Sequence, residues 1–201
     1  ENNLSRTSDL ITSFKQISVD QASEAHYRFF IAEQLHQVVT SLRHELKKIH
    51  TEIEVRCDPK LELDSYPGTL VQIYTNLILN SIIHGFDENN SLNKINIDVT
   101  NDNNAILIDY FDNGRGIEAE LLSKIFDPFV TTKRGQGGSG LGTHIIYNLV
   151  SQKLKGTISC DSELGLGCHF HIRLPLTDEK EKLNQEPDIQ DLIIDTKVSY
   201  D

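Results

Sequence analysis

Asn76, Asn80 and His84 stand at i, i+4 and i+8. At 100° per residue they span an arc of about 80°, so on a helix all three point one way. Val71, Tyr74, Ile78 and Ile82 take the opposite side. A row of amides on an otherwise apolar helix is costly unless each amide finds a partner. One reading is core asparagines satisfied by backbone. The other is an amide oxygen ligating a magnesium ion beside a nucleotide, because that ion is hard and takes oxygen donors.

Two glycine-bearing motifs add to this row. The first is Asp112-Asn113-Gly114-Arg115-Gly116-Ile117, directly after a strand pattern. By itself it fits an ordinary turn. Yet its glycines let backbone approach a flat ligand closely. A carboxylate at the strand end can accept a hydrogen bond from an exocyclic amine such as adenine's, and would select against guanine, which presents an oxygen there. The second runs Gly135-Gln136-Gly137-Gly138-Ser139-Gly140-Leu141-Gly142-Thr143 into a helix pattern. Inward amides and a helix N-terminus suit a phosphate. A flexible linker would not explain the apolar helix that follows at once. No Gly-Lys-Ser/Thr ends the loop and no buried strand precedes it, so it is neither a Walker A loop nor a dinucleotide fingerprint. Phe126-Asp127-Pro128-Phe129 precedes it and reads as the anchor of a mobile lid, with Thr131, Thr132, Lys133 and Arg134 inside the lid and within reach of phosphates.

These groups need a scaffold. The 201 residues fit one domain with appendages, and 38% hydrophobic residues suffice for a core. The longest apolar stretches, such as Ala105-Ile106-Leu107-Ile108, are far too short to cross a bilayer. The net charge of −11 argues against a nucleic-acid partner. Cys57, Cys160 and Cys168 lack CxxC spacing and read as thiols in a reducing cytosol. A chain that starts at Glu1 and has no Met reads as an excised fragment whose parent reaches a membrane, if at all, through missing parts.

Residues 1–22 read as the end of a helix, with Leu4, Leu10, Ile11, Phe14 and Ile17 as its stripe. Residues 23–176 form the globular body. Its pattern predicts a strand at 27–31 and one amphipathic helix with Leu35, Val39, Leu42, Leu46 and Ile49 on a face. A strand at 53–57 and an apolar helix from Pro67 to about His84 follow. Alternation predicts strands at 95–99 and 106–110. Then come a short helix at 118–125, a helix at 143–150, and a closing hairpin of 157–160 and 168–174. Residues 177–201 hold eight acids and three lysines and read as a solvated, disordered tail.

In their order, these motifs resemble the catalytic, ATP-binding domain of the sensor histidine kinases, in the superfamily shared with gyrase, MutL and the large heat-shock chaperones. The resemblance covers residues 26–176. The N box is similar to Asn76-Leu-Ile-Leu-Asn80-Ser-Ile-Ile-His84-Gly-Phe86, and the glycine boxes to Asp112–Ile117, Gly138-Ser-Gly140-Leu-Gly142 and Gly165-Leu-Gly167-Cys168-His-Phe170. Phe126–Phe129 resembles the F box, and residues 1–20 the end of a dimerisation hairpin. The resemblance implies an α/β two-layer sandwich, one mixed sheet with helices on one face, binding ATP and Mg²⁺. It implies that Asn80 holds the metal and Asp112 the adenine amine, with Gly114, Gly116, Ile117 and Phe126 around the purine. Asn76, His84, Thr131, Thr132, Lys133, Gly138, Ser139, Gly140, Leu141, Gly142 and Thr143 lie toward the phosphates. Asn76, Asn80, His84 and Lys133 would be the catalytic set. Cys168 stands where the family often has Thr, on the phosphate side in this reading. Partners implied are the histidine-bearing hairpin, a response regulator receiver domain, and a second copy in a homodimer.

Hydrolytic relatives place a glutamate base one turn before the metal asparagine. Here that position is Asn76, and an amide has no useful basicity, so hydrolysis should be slow. Phosphoryl transfer relies on positioning and charge neutralisation, and a histidine acceptor supplies its own nucleophile. Alternatives are a nucleotide-binding scaffold without catalysis and an anti-sigma-type serine kinase. His44-Glu45-Leu46 is not the acceptor site by its place in the chain, and His44 reads as a surface residue. His169 and His171 share a strand face and have the chemistry of metal ligands, but no third ligand is visible in the sequence. Cys160 and Cys168 are expected to face each other across the last hairpin.

Overall fold

A computed structural model describes residues 25–87, 92–133 and 138–176. The expected N-terminal helix, Arg134 to Gly137 of the glycine loop and the acidic tail lie outside these residues. The elements are β1 (Tyr27–Phe30), α1 (Ile31–Ser41), α2 (Arg43–Lys48), β2 (Thr51–Cys57), β3 (Glu62–Ser65), α3 (Pro67–Asn80), β4 (Asn93–Asn101), β5 (Ala105–Asp112), α4 (Ala119–Leu122), α5 (Gly142–Asn148), β6 (Thr157–Glu163) and β7 (Gly167–Pro175).

The main sheet has the order β2-β4-β5-β7-β6. β2 runs parallel to β4, and the other neighbours are antiparallel, so the sheet is mixed. Period-two alternation divides it into two faces. Ile95, Ile97, Val99, Ile106, Ile108, Tyr110, Phe170, Ile172 and Leu174 are buried on one. They pack with Leu35 and Val38 of α1, Leu70, Ile73, Tyr74 and Leu77 of α3, and Ile146 of α5. The other face carries Lys94, Asp98, Asp109, His169, His171 and Arg173, none of them buried. A face of that composition does not need a covering layer, which is why the helices gather on one side.

Three local features depart from the sequence pattern. The first amphipathic helix is two helices: Leu42, at φ −92° and ψ 4°, interrupts it. Ile31, Leu35 and Val38 form its buried stripe, and Val39 and Leu42 are only half-buried. A separate two-stranded sheet of β1 and β3 also appears. β3 is four residues long with Leu63 as its one buried side chain, too little for alternation to show. Finally, α3 does not stay α-helical to His84. Residues Ser81–Gly85 form a π-helical turn, closed by the Phe86 N–H donating to the Ser81 carbonyl at 2.8 Å. α5 likewise continues into a π turn at Leu149–Lys153.

Candidate functional site

A cavity of about 560 Å³ opens between the inner sheet face and the ends of α3 and α5. That volume suits a small organic ligand. Asp112, the last residue of β5, lies in its wall and is 3% exposed. The alternation that buries Ile106, Ile108 and Tyr110 also points this carboxylate inward. One oxygen accepts from the Ser81 hydroxyl at 2.6 Å and the other from the Gly114 N–H at 2.9 Å. The backbone at Cys168 adds a third hydrogen bond. Burial outweighs these donors and raises the carboxyl above its ordinary pKa. Ser81 in turn meets the Tyr110 hydroxyl at 2.7 Å, and that hydroxyl lies 3.3 Å from the Leu77 carbonyl. Helix, strand and acid are thus fixed to one another by a short polar chain.

Gly114 lets the loop after Asp112 cross the backbone at Gly85. A Cβ at Gly114 would sit 2.8 Å from three backbone atoms of Gly85. The Arg115 N–H donates to the Gly85 carbonyl at 2.9 Å beside it. Gly114→Ala should therefore force the two segments apart and cost about 1–3 kcal/mol, the usual range for overpacking. Thermal unfolding measures this; a melting temperature equal to wild type would show that the contact is not tight.

The amide row is only partly the row its spacing suggested. Asn76 is 8% exposed, and its Nδ2 donates to the Gln72 carbonyl at 2.9 Å, so the NH₂ end of this amide is met by its own helix. Asn80 differs. Its Nδ2 is buried without a hydrogen-bond partner among the described residues. A Cβ at Gly142 would lie 2.9 Å from Asn80 Oδ1, so a larger residue there would push the amide out of its present position. A cavity-lining amide with an unmet end is open to a ligand. The donor set fits Mg²⁺, since a side-chain amide supplies a hard oxygen.

His84 faces the lid. Its Nδ1 is 3.2 Å from the Thr132 hydroxyl, which also accepts from the Arg115 guanidinium at 2.9 Å. Burial first, then the charges of Lys133 and Arg115, push the imidazole below its ordinary pKa. The lowered pKa favours the neutral imidazole, which offers a hydrogen bond. Arg115 was overlooked as a site residue, although its place between the two glycines of the first motif marks it as a cation at the cavity.

Asn76, Asn80, His84, Asp112, Gly116, Ile117, Thr131, Thr132, Ser139, Gly140, Gly142 and Thr143 all line the cavity. Gly114, Phe126, Lys133, Gly138 and Leu141 do not. They adjoin lining residues, and the Lys133 charge is felt at His84. Phe126 packs on Tyr147 at 5.5 Å between ring centroids, and its carbonyl meets His144 Nδ1 at 2.9 Å. The Gly138 N–H donates to the Lys133 carbonyl, and the Lys133 N–H to the Thr131 hydroxyl. The Leu141 N–H reaches Ser139 Oγ at 3.3 Å. Leu79, Glu118, Leu121, Ile125, Val130 and Leu164 also line the wall, outside the residues singled out from the motifs. Their signal in the sequence was at most apolar periodicity, which does not distinguish a cavity lining from a core.

Cys168 is a correction. It pairs with Asp112 across β5 and β7 and so belongs to the acid end of the cavity, away from the lid. Burial and the Asp112 charge push its thiol up to about 11. Nor does it face Cys160: it pairs with Ser162, and Cys160 with Phe170, and all three cysteines are free thiols.

The sequence matches the model of the histidine kinase-, DNA gyrase B- and HSP90-like ATPases over residues 66–178. The autoinducer 2 sensor kinase/phosphatase LuxQ of Vibrio harveyi is 34% identical over 145 residues, 68% of this chain and 16% of that protein. The sensor histidine kinase ZraS of Escherichia coli K12 is 34% identical over 119 residues, 57% of this chain and 23% of that protein. This chain thus spans less than a quarter of either relative. The solved catalytic domain of the histidine kinase ThkA superposes with a TM-score of 0.67 at 24% identity, covering 78% of this chain and 99% of that one. No helix among the described residues is long and apolar enough to cross a membrane. With the fold, the cavity and these matches in agreement, the chain belongs to the family of histidine kinase-, DNA gyrase B- and HSP90-like ATPases.

Proposed function

We propose that this domain holds ATP in the cavity described above and passes its γ-phosphoryl group to a histidine on a helical hairpin of the parent protein. The observation that carries the reading is the buried Asp112 carboxylate. It faces a cavity, is fixed by Ser81 and the Gly114 N–H, and suits the exocyclic amine of adenine. Gly116 and Ile117 border the same end. Thr131, Thr132, Ser139, Gly140, Gly142 and Thr143 stand at the lid side, where a triphosphate would extend.

Asn80 is the residue we assign to Mg²⁺, on the ground that it lines the cavity beside Gly142 and its amide carries a hard oxygen donor. Bound there with the nucleotide, the ion would neutralise phosphate charge, the main contribution a phosphoryl-transfer site can make. Asn76 spends its NH₂ end on Gln72 and offers no base for water. That favours transfer over hydrolysis. His84 and Arg115 would hold Thr132, and with it the lid, near the phosphates. Residues 1–22 are assigned to the end of the hairpin, 23–176 to the catalytic domain and 177–201 to an acidic tail. A response regulator and a second copy of the parent are the partners this reading requires.

Incubating the chain and its parent's hairpin with γ-labelled ATP and Mg²⁺ tests it. Acid-labile, alkali-stable label on the hairpin is expected, with none on the chain alone. His44 is exposed and far from the lid in sequence, and stays unlabelled. Acid-stable phosphoserine would show a serine kinase instead. Nucleotide binding without any transfer would show a scaffold. Label on His44 would overturn the assignment of the acceptor to the hairpin.

A further inference from the structure

The outer face of the sheet, opposite the nucleotide cavity, carries a cluster that the proposed kinase chemistry does not use. His169 and His171 project from β7, and Asp109 lies directly across from His171 on β5. Asp109 Oδ1 is 3.3 Å from His169 Nε2 and 2.6 Å from His171 Nδ1. Two ring nitrogens thus converge on one carboxylate oxygen. The two imidazoles stand 3.8 Å apart between centroids, tilted by 45°. The missing third ligand of the sequence pattern is this aspartate, 60 residues upstream of the histidines, which only strand pairing brings into place.

A second observation concerns the far side of His171. Its Nε2 lies 3.2 Å from Asp161 Oδ2 on β6. If Nε2–H donates to Asp161, the Nδ1 lone pair is left pointing at the Asp109 oxygen. A carboxylate that fixes the tautomer and frees the opposite nitrogen is the arrangement found behind metal-binding histidines. In that tautomer two ring nitrogens and an anionic oxygen turn on one point that a cation can occupy; in the other, the Nδ1–H donates to Asp109. One divalent ion meets all three groups at once.

We propose that Asp109, His169 and His171 form a zinc site on the outer face of the sheet, with Asp161 orienting His171. The three ligand atoms lie within 4.8 Å of one another. A tetrahedral zinc ion with bonds of about 2.0 Å sets its ligands roughly 3.3 Å apart, so side-chain rotations must widen the 2.6 Å approach of Asp109 to His171 to admit it. Two imidazoles and one carboxylate are a borderline donor set that suits zinc and not the hard ions Mg²⁺ or Ca²⁺. The fourth position is left to water, because the cluster is only half-buried.

Calorimetric titration of the full chain with Zn²⁺ in the absence of nucleotide tests this. One ion per chain is expected, undisturbed by excess Mg²⁺. The double substitution His169→Gln with His171→Gln should abolish that binding. Asp161→Asn should weaken it about tenfold, as loss of an outer carboxylate usually does. Circular dichroism and ADP affinity should match wild type in both. If the double variant does not fold, Asp109→Asn carries the same test. No stoichiometric zinc uptake overturns the proposal, and so does equal uptake by wild type and the variants, which would place the ion elsewhere.

Discussion

Asp112→Asn should weaken ATP binding on the order of 100-fold, because it replaces a charge-assisted acceptor by an amide whose NH₂ can confront the adenine amine, a loss of about 3 kcal/mol. The same variant should not unfold. Asp112's carboxyl is raised above its ordinary pKa in the folded chain. A raised acid binds its proton more tightly when folded, so stability is greatest below the unfolded pKa of about 3.9 and falls as pH rises through the higher folded value. Ionised Asp112 therefore costs the fold some stability at pH 7, and the neutral amide does not. The Ser81 hydroxyl also has the Leu77 carbonyl at 3.4 Å as a second acceptor. The variant is expected to melt no lower than wild type at neutral pH, with the difference vanishing in strong acid. Wild type should also prefer ATP to GTP. Isothermal titration and melting curves from pH 3 to pH 8 check both halves. Undiminished ATP affinity would remove the acid from the site.

Asn80→Ala is expected to separate metal from nucleotide. If the Asn80 amide oxygen serves Mg²⁺, wild type binds ATP more tightly with the ion than in EDTA, and the variant shows no such difference. Phosphoryl transfer to the hairpin should fall by about 10²–10³, the range for removing one charge-stabilising group from an active site. The fold has nothing to lose: alanine is the best helix former, and the change removes a buried donor without a partner. A variant that keeps the full magnesium effect would transfer the metal to another residue.

The sheet and the main helices were legible because their periodicities run over many residues. Four buried side chains alternate along β7 and eight positions of α3 are buried, and both patterns stand out in the chain. Asp112 was legible for the same reason: it ends an alternating strand and begins a glycine motif. The division at Leu42 was hidden, since a helical stripe continues across a break when both pieces bury the same side. The role of Asn76 was hidden too. Spacing alone put it level with Asn80, and only the path of its hydrogen bond to Gln72 tells an amide met by its own helix from an open one. The backbone of the lid was hidden as well. The Lys133 N–H donates to the Thr131 hydroxyl and the Phe126 carbonyl meets His144, contacts that no side-chain pattern announces. The Asp109 cluster required a long-range strand pairing that no local pattern contains.

The π turn at Ser81–Gly85 bears on all of this. A ring closed from i to i+5 winds through less than 100° per residue, so His84 trails the heading it would have on a regular helix and drops back toward the line of Asn80. The surplus residue works as a gear tooth. Remove it and the helix would gain ordinary hydrogen bonds, while Gly85, which touches Gly114, and everything beyond would be thrown out of phase by about 100°. The nucleotide end and the lid end of the cavity thus keep time with each other through one irregular turn.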